Sequence, residues 1–197
     1  MKQMIISIGR EFGSGGLEVA KKLAEHYNIP LYSKELLTEL AKDGEYSEEM
    51  LERLDERPIN LAFIPVPIAG SPISLEQDVA MKQFQFLRKK ANEEKESFVV
   101  VGRCADEILN DNPNLVSVFI LADRESKTKR LMEREGISEK EALNRMKKVD
   151  KVRKTYHNFY CENKWGDSRS YDICIKTDKI DADTAAKIIV SYIEGQK

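Results

Sequence analysis

Residues 4–24, MIISIGREFGSGGLEVAKKLA, decide how this chain is read. Met4, Ile5, Ile6 and Ile8 form a short apolar run of β-favouring residues. Gly9, Gly13, Gly15 and Gly16 follow, in a loop that also holds Arg10, Glu11 and Ser14. Leu17, Ala20, Leu23 and Ala24 then recur at helical spacing. Buried strand, glycine loop and amphipathic helix together make the arrangement with which α/β proteins cradle phosphate. Glycines let backbone N–H groups converge on an anion without a Cβ in the way, and the helix N-terminus adds a favourable dipole. A standard phosphate loop reads G-x-x-x-x-G-K-[ST]. With Gly15 as its second glycine, the first falls on Arg10, the lysine on Gly16 and the hydroxyl residue on Leu17. The loop therefore lacks both the cation that reaches the β/γ-phosphates and the hydroxyl that holds Mg²⁺.

The 197 residues suffice for one well-buried domain and are too few for two ordinary ones. A net charge of −2 provides no global basic field, so nucleic acid is not an expected partner. No apolar run approaches the length of about 18 residues that a membrane span needs, and residues 1–3 lead straight into a strand. The expectation is a cytoplasmic protein without membrane attachment. Cys104, Cys161 and Cys174 are scattered and odd in number, which predicts buried or incidental thiols rather than disulfides or a zinc site.

Further along, 29–32 reads as a short strand, and Ser33 is placed to cap a helix through Leu36, Leu37 and Leu40 that ends at Asp43-Gly44. Another helix opens after Ser47 and runs to about 57. Residues 58–74 interleave Pro58, Pro65, Pro67, Gly70 and Pro72 with Phe63, Ile64, Val66, Ile68 and Ile73, which predicts a long irregular excursion. It is too apolar for a solvated linker; a loop packed on its own domain, a substrate lid and a contact between copies of the chain all fit it. Helices are expected over 75–96, 105–109, 124–135, from 138 onward and over 183–193, and strands over 98–101, 115–121 and 171–175. Strands that are short apolar runs alternating with helices mean a parallel sheet covered on both faces. Ligands then bind outside the carboxyl ends of the strands, so the glycine loop, Gly102-Arg103 and Ala122-Asp123-Arg124 should share one cleft.

Arg103 follows a buried strand and a glycine; its planar fork suits a phosphate in the cleft, and a surface position at the strand end is the alternative. In 124–154, Arg and Lys outnumber acids, Arg130 and Arg134 share a helix face, and Asp150 and Arg153 are spaced to pair. Such density suits phosphoryl transfer, where catalysis is mostly positioning and charge stabilisation. His26 and His157 have no acid or cysteine at metal or triad spacing, and Trp165 reads as a loop anchor.

These pieces add up to a resemblance. Residues 8–16 (IGREFGSGG), 29–37 (IPLYSKELL), 100–105 (VVGRCA), Asp150-Lys151-Val152-Arg153 with Tyr156, and Lys164-Trp165-Gly166-Asp167 before Tyr171-Asp172 resemble the cytidylate kinase-like family of P-loop nucleoside monophosphate kinases. The resemblance implies a three-layer α/β P-loop NTPase fold, a single domain over 1–197, with a five-stranded parallel sheet, an acceptor-binding and irregular insertion over about 33–96, and a helical lid over about 124–154. It implies ATP and Mg²⁺ as cofactors and a small nucleotide acceptor such as CMP or dCMP. Arg10, Gly13, Ser14, Gly15, Gly16 and Leu17 would wrap the ATP phosphates. Arg103 would contact the acceptor phosphate, Arg130, Arg134 and Arg153 would surround the transferring group, and Asp150 would orient the lid arginines. The metal ligands are not implied by the match. Gly16 stands where these kinases keep the loop lysine and Glu18 where they keep a threonine, so Arg10 or a lid residue would replace the missing cation. Two readings stay open: an ATP-dependent kinase, and a nucleotide-binding regulatory module without catalysis.

Overall fold

The computed structural model describes residues 3–33, 35–42, 44, 46–54 and 74–196. Five parallel strands form one sheet in the order β2-β3-β1-β4-β5: β1 Ile5–Arg10, β2 Leu31–Tyr32, β3 Phe98–Val101, β4 Leu115–Leu121 and β5 Ile173–Lys176. Register places Ile5 between Phe98 and Leu115, and Val118 beside Ile173. The first strand of the chain is thus the central one, and the loop that leaves it emerges in the middle of the sheet's carboxyl edge.

The strands' apolar runs divide by alternation, because successive side chains point to opposite faces. Ile6, Ile8, Val99, Val101, Val118 and Ile120 meet Val19, Ala20 and Leu23 of α1 (Gly16–Tyr27) and Ala185, Ala186 and Ile189 of α8 (Ala182–Gly195). Ile5, Phe98 and Val100 face the other way. They meet α2 (Glu35–Ala41), α3 (Glu48–Leu54), α4 (Leu75–Arg88) and α5 (Ala105–Ile108) through residues such as Leu36, Leu51, Leu87 and Ala105. The expected three-layer α/β fold with a five-stranded parallel sheet is the observed one. Among the described residues no helix is long and apolar enough to cross a membrane.

Some boundaries differ from the sequence expectation. The helix expected over 75–96 is α4 followed by a π turn, Lys89–Glu93, and its start carries a capping box between Ser74 and Gln77. The last strand starts two residues later than expected because Asp172 is used otherwise: its carboxylate accepts the Ser117 N–H at 2.7 Å and the Ser117 hydroxyl at 2.8 Å. Positions 58–73 of the apolar excursion lie outside the described residues.

The region expected to form a helical lid holds α6 (Arg124–Glu135) and α7 (Glu139–Tyr160). Gly136, left-handed at φ 66°, ends the first, and the Ser138 hydroxyl caps the second by accepting the Glu141 N–H. Leu131, Ala142 and Met146 are buried between them, and Phe12 of the glycine loop packs into the same cluster.

Candidate active site

The glycine loop joins β1 to α1, at the point where the chain's neighbours lie on both sides of the first strand, the place at which open α/β sheets bind ligands. Gly13 and Gly15 hold φ of 82° and 86°, a region that side chains with a Cβ rarely adopt. A Cβ on Gly15 would project into open space, with nothing within 4 Å. The first-turn N–H groups of α1, which have no acceptor inside a helix, point out of the same turn.

Two cavities flank this loop. One, of about 680 Å³, is bordered by Arg10, Phe12, Gly13, Gly15, Gly16, Leu17, Ser33, Arg103, Arg134 and Arg153, with Glu11, Glu18 and Glu135. The other, of about 460 Å³, lies between the loop and the turn after β5, bordered by Ser14, Arg130 and Thr177 through Ala182. Gly13, Gly15, Glu18 and Arg134 border both. The loop is therefore a wall with a cavity on each side.

The lid helices hold that wall. Asp150 of α7 accepts the Phe12 N–H at 2.7 Å. Lys127 of α6 donates to the Glu11 carboxylate at 2.8 Å, which also accepts the Ala122 N–H at 3.2 Å. The Phe12 ring centroid lies 5.7 Å from both the Arg134 and the Arg153 guanidinium carbons, so one aromatic ring sets the stance of two cations. Arg153 donates to the Arg10 carbonyl at 3.4 Å. Burial, the largest influence, pushes the Asp150 carboxyl above its ordinary pKa, against the pull of the Phe12 N–H, Lys127 and Arg153.

Several of the expected site residues make contacts that their sequence positions did not announce. Asp150 holds the loop backbone through Phe12 and also lies close enough to Arg153 for that cation to pull on its carboxyl. Arg130 donates to the Ser14 carbonyl at 3.2 Å, to the Thr177 hydroxyl at 3.0 Å and to the Thr177 carbonyl, stitching the loop to the turn after β5. It borders the smaller cavity only, apart from Arg103 and Arg153. Ser14 is buried, and its hydroxyl donates to the Glu11 carbonyl at 2.8 Å. Arg124 borders neither cleft cavity: it is exposed at the first position of α6 and lies on a separate surface groove with Thr128 and Met132. Arg103 is a buried residue, 3 % exposed with φ 59°, and it donates to the Ser33 carbonyl at 3.3 Å.

The sequence reading missed Glu11, Phe12, Lys127 and Thr177. An aromatic residue inside a glycine loop was the available signal for Phe12. It also missed the acid partner of His157: Nε2 lies 2.8 Å from an Asp106 carboxylate oxygen, both side chains being almost fully buried. Burial is the largest influence on the His157 imidazole and works against its charge; hydrogen bonds to Asp106 and the neighbouring Cys161 outweigh it and push the pKa up to about 10. Cys161 in turn is drawn down to about 7, first by a hydrogen bond with Cys104 and then by His157. The cysteines are free thiols, as expected, with Cys104 and Cys161 buried in one cluster and Cys174 exposed. Trp165 anchors its loop edge-on to Phe119, ring centroids 5.3 Å apart.

A parallel sheet in this order, with a glycine loop at the centre of its carboxyl edge and a two-helix lid over it, defines the P-loop kinase-like fold. The chain belongs to the cytidylate kinase-like family, whose model matches residues 5–179. It is 25% identical to a cytidylate kinase of Methanopyrus kandleri over 97% of this chain and 93% of that protein. It is 27% identical to a cytidylate kinase of Methanocaldococcus jannaschii over 98% and 99%. Among solved structures, an uncharacterized protein from Eubacterium ventriosum is 61% identical, with a TM-score of 0.79 over 98% of this chain and 100% of that one. A shikimate kinase from Bacteroides thetaiotaomicron shares the fold at 14% identity and a TM-score of 0.57, over 97% and 98%.

Proposed function

We propose that the chain transfers the γ-phosphoryl group of ATP to a small phosphorylated acceptor, a nucleoside monophosphate such as CMP or dCMP being the leading case. The observation that carries this reading is the pair of cavities sharing the glycine loop as a wall. A phosphoryl donor on one side and an acceptor on the other would meet at Gly13, Gly15 and Arg134, the approach that in-line transfer needs. An acceptor phosphate oxygen attacks the γ-phosphorus, the bond to the β-bridging oxygen breaks, and ADP leaves.

The smaller cavity suits the donor's nucleoside and the larger suits the acceptor, because Arg103 and Arg153 border the latter. Arg103 has little freedom, and a guanidinium held by its surroundings suits a fixed phosphate. Phe12 would hold Arg134 and Arg153 ready for charge that builds on the moving group.

Among the described residues no cluster of three acidic, histidine or cysteine side chains could hold a divalent cation unaided, so an oxygen-seeking cation would need the donor phosphates beside a single carboxylate. Leu17 has no hydroxyl to offer, and the Ser14 hydroxyl is turned to the Glu11 carbonyl. Glu18 borders both cavities, its side chain half-exposed and 3.9 Å from Arg134, and it would hold Mg²⁺ together with donor phosphates. Bound there, Mg²⁺ would neutralise phosphate charge.

The loss of the loop lysine favours a second reading, a nucleotide-binding regulatory protein without turnover. A coupled assay with ATP and each nucleoside monophosphate, with and without Mg²⁺, tests both. Turnover that needs Mg²⁺ and is lost in Arg103→Ala supports the kinase. ATP binding unchanged by Mg²⁺, with no turnover on any acceptor, supports the regulator.

A further inference from the structure

Position 16 opens α1 at the place where a phosphate loop carries lysine, and its glycine is not demanded by the backbone, since Gly16 is absent from the positive-φ positions that hold Gly13 and Gly15. What excludes a side chain is a neighbour. A Cβ built on Gly16 would lie 2.5 Å from the Arg10 Cβ and 3.1 Å from its Cγ. The first of these atoms cannot swing aside, because Arg10 is the last residue of β1, in register with Ile120 of β4, and its carbonyl accepts from Arg153. The stem of Arg10 therefore runs across the site from which a lysine at 16 would start, and its side chain borders the larger cavity beside the loop.

We infer that Arg10 is the loop's phosphate-contacting cation, and that Gly16 is glycine to make room for it. The two features that look like a lost site are then one exchange: the charge has moved six positions along the chain, from the helix start to the strand end, and the space has been cleared at the other end. An arginine reaching from that position offers a planar fork to two phosphate oxygens, where a lysine offers a point charge. A lysine at 16 and an arginine at 10 are mutually exclusive in this loop.

This inference rests on the proposed ATP-dependent reading, and the test separates the two. Calorimetric titration with ATP and with AMP, in the presence of Mg²⁺, is run on the wild type, Arg10→Ala, Gly16→Lys and the double variant Arg10→Gly/Gly16→Lys. Each protein's thermal midpoint is recorded. Arg10→Ala keeps the Cβ and removes the cation, so ATP affinity, read well below the variant's own midpoint, falls about tenfold or more while AMP binding holds. Gly16→Lys alone meets the Arg10 stem and lowers the midpoint. In the double variant the Cβ at 10 is gone, the midpoint rises above that of Gly16→Lys, and ATP affinity recovers relative to Arg10→Ala, a coupling that two independent sites would not show. Wild-type ATP affinity in Arg10→Ala, or a double variant no better than its parents, overturns the inference and leaves the kinase reading standing. A wild type that binds no ATP overturns both.

Discussion

Asp150 accepts the main-chain N–H of Phe12 at 2.7 Å, across 138 residues of sequence, and so ties the long lid helix to the glycine loop. The carboxylate performs this at a cost, since burial holds its pKa above the ordinary value. A raised acid pKa means that the folded state favours the protonated form. Its charge therefore weighs against the fold at neutral pH, and that penalty fades as pH falls through the raised value.

Asp150→Asn, which keeps an acceptor for the Phe12 N–H and drops the charge, is expected to melt at or above the wild-type temperature at pH 7. The gap should close as the pH is lowered. Asp150→Ala leaves the N–H without its acceptor and should lose about 1–3 kcal/mol. Chemical denaturation of both variants across pH 4 to 7 gives the answer.

His157 titrates in the opposite sense. Its folded pKa of about 10 lies above the value of about 6.5 expected when unfolded. The stability it contributes is complete below the unfolded value and is lost as pH rises through the folded one. His157→Gln leaves the buried Asp106 carboxylate without its cation and should cost about 3–5 kcal/mol near pH 6. The difference from wild type should shrink steadily toward pH 10, read from urea unfolding at each pH.

Gly15→Val should abolish ATP binding in a calorimetric titration. A branched residue is forced into a left-handed conformation, at about 1–2 kcal/mol, and its side chain fills the open space beside the loop. Retained affinity would mean that the turn is not where the nucleotide sits.

Thiol labelling should separate the cysteines by access rather than by acidity. Cys174 is exposed and should label in the native protein, slowed by the burial that pushes its thiol pKa up. Cys161, although drawn down to about 7, is buried beside Cys104, and both should label only as fast as the fold opens. Native-state labelling followed by mass spectrometry counts them.

The sheet was legible because each strand is an apolar run whose alternate residues serve opposite faces, as Phe98-Val99-Val100-Val101 shows. The two helices over 124–135 and from 138 onward were legible in their bounds, Arg124–Glu135 and Glu139–Tyr160 being the observed ones. What the sequence did not reveal is which side chains act on the loop. Lys127 and Glu11, Arg130 and Thr177, His157 and Asp106 are partners separated by 47 to 116 residues, and nothing local in either member announces the other. Arg124 shows the reverse case: closeness to a strand end suggested the cleft, whereas the side chain, exposed at the helix start, borders a separate groove.

Since a single turn of backbone forms the partition between two chambers, a guest in either would touch the same Gly13–Gly15 main chain. Were both proposed sites to take up their ligands, any effect of one bound molecule on the other's affinity would be felt by the same factor in either direction.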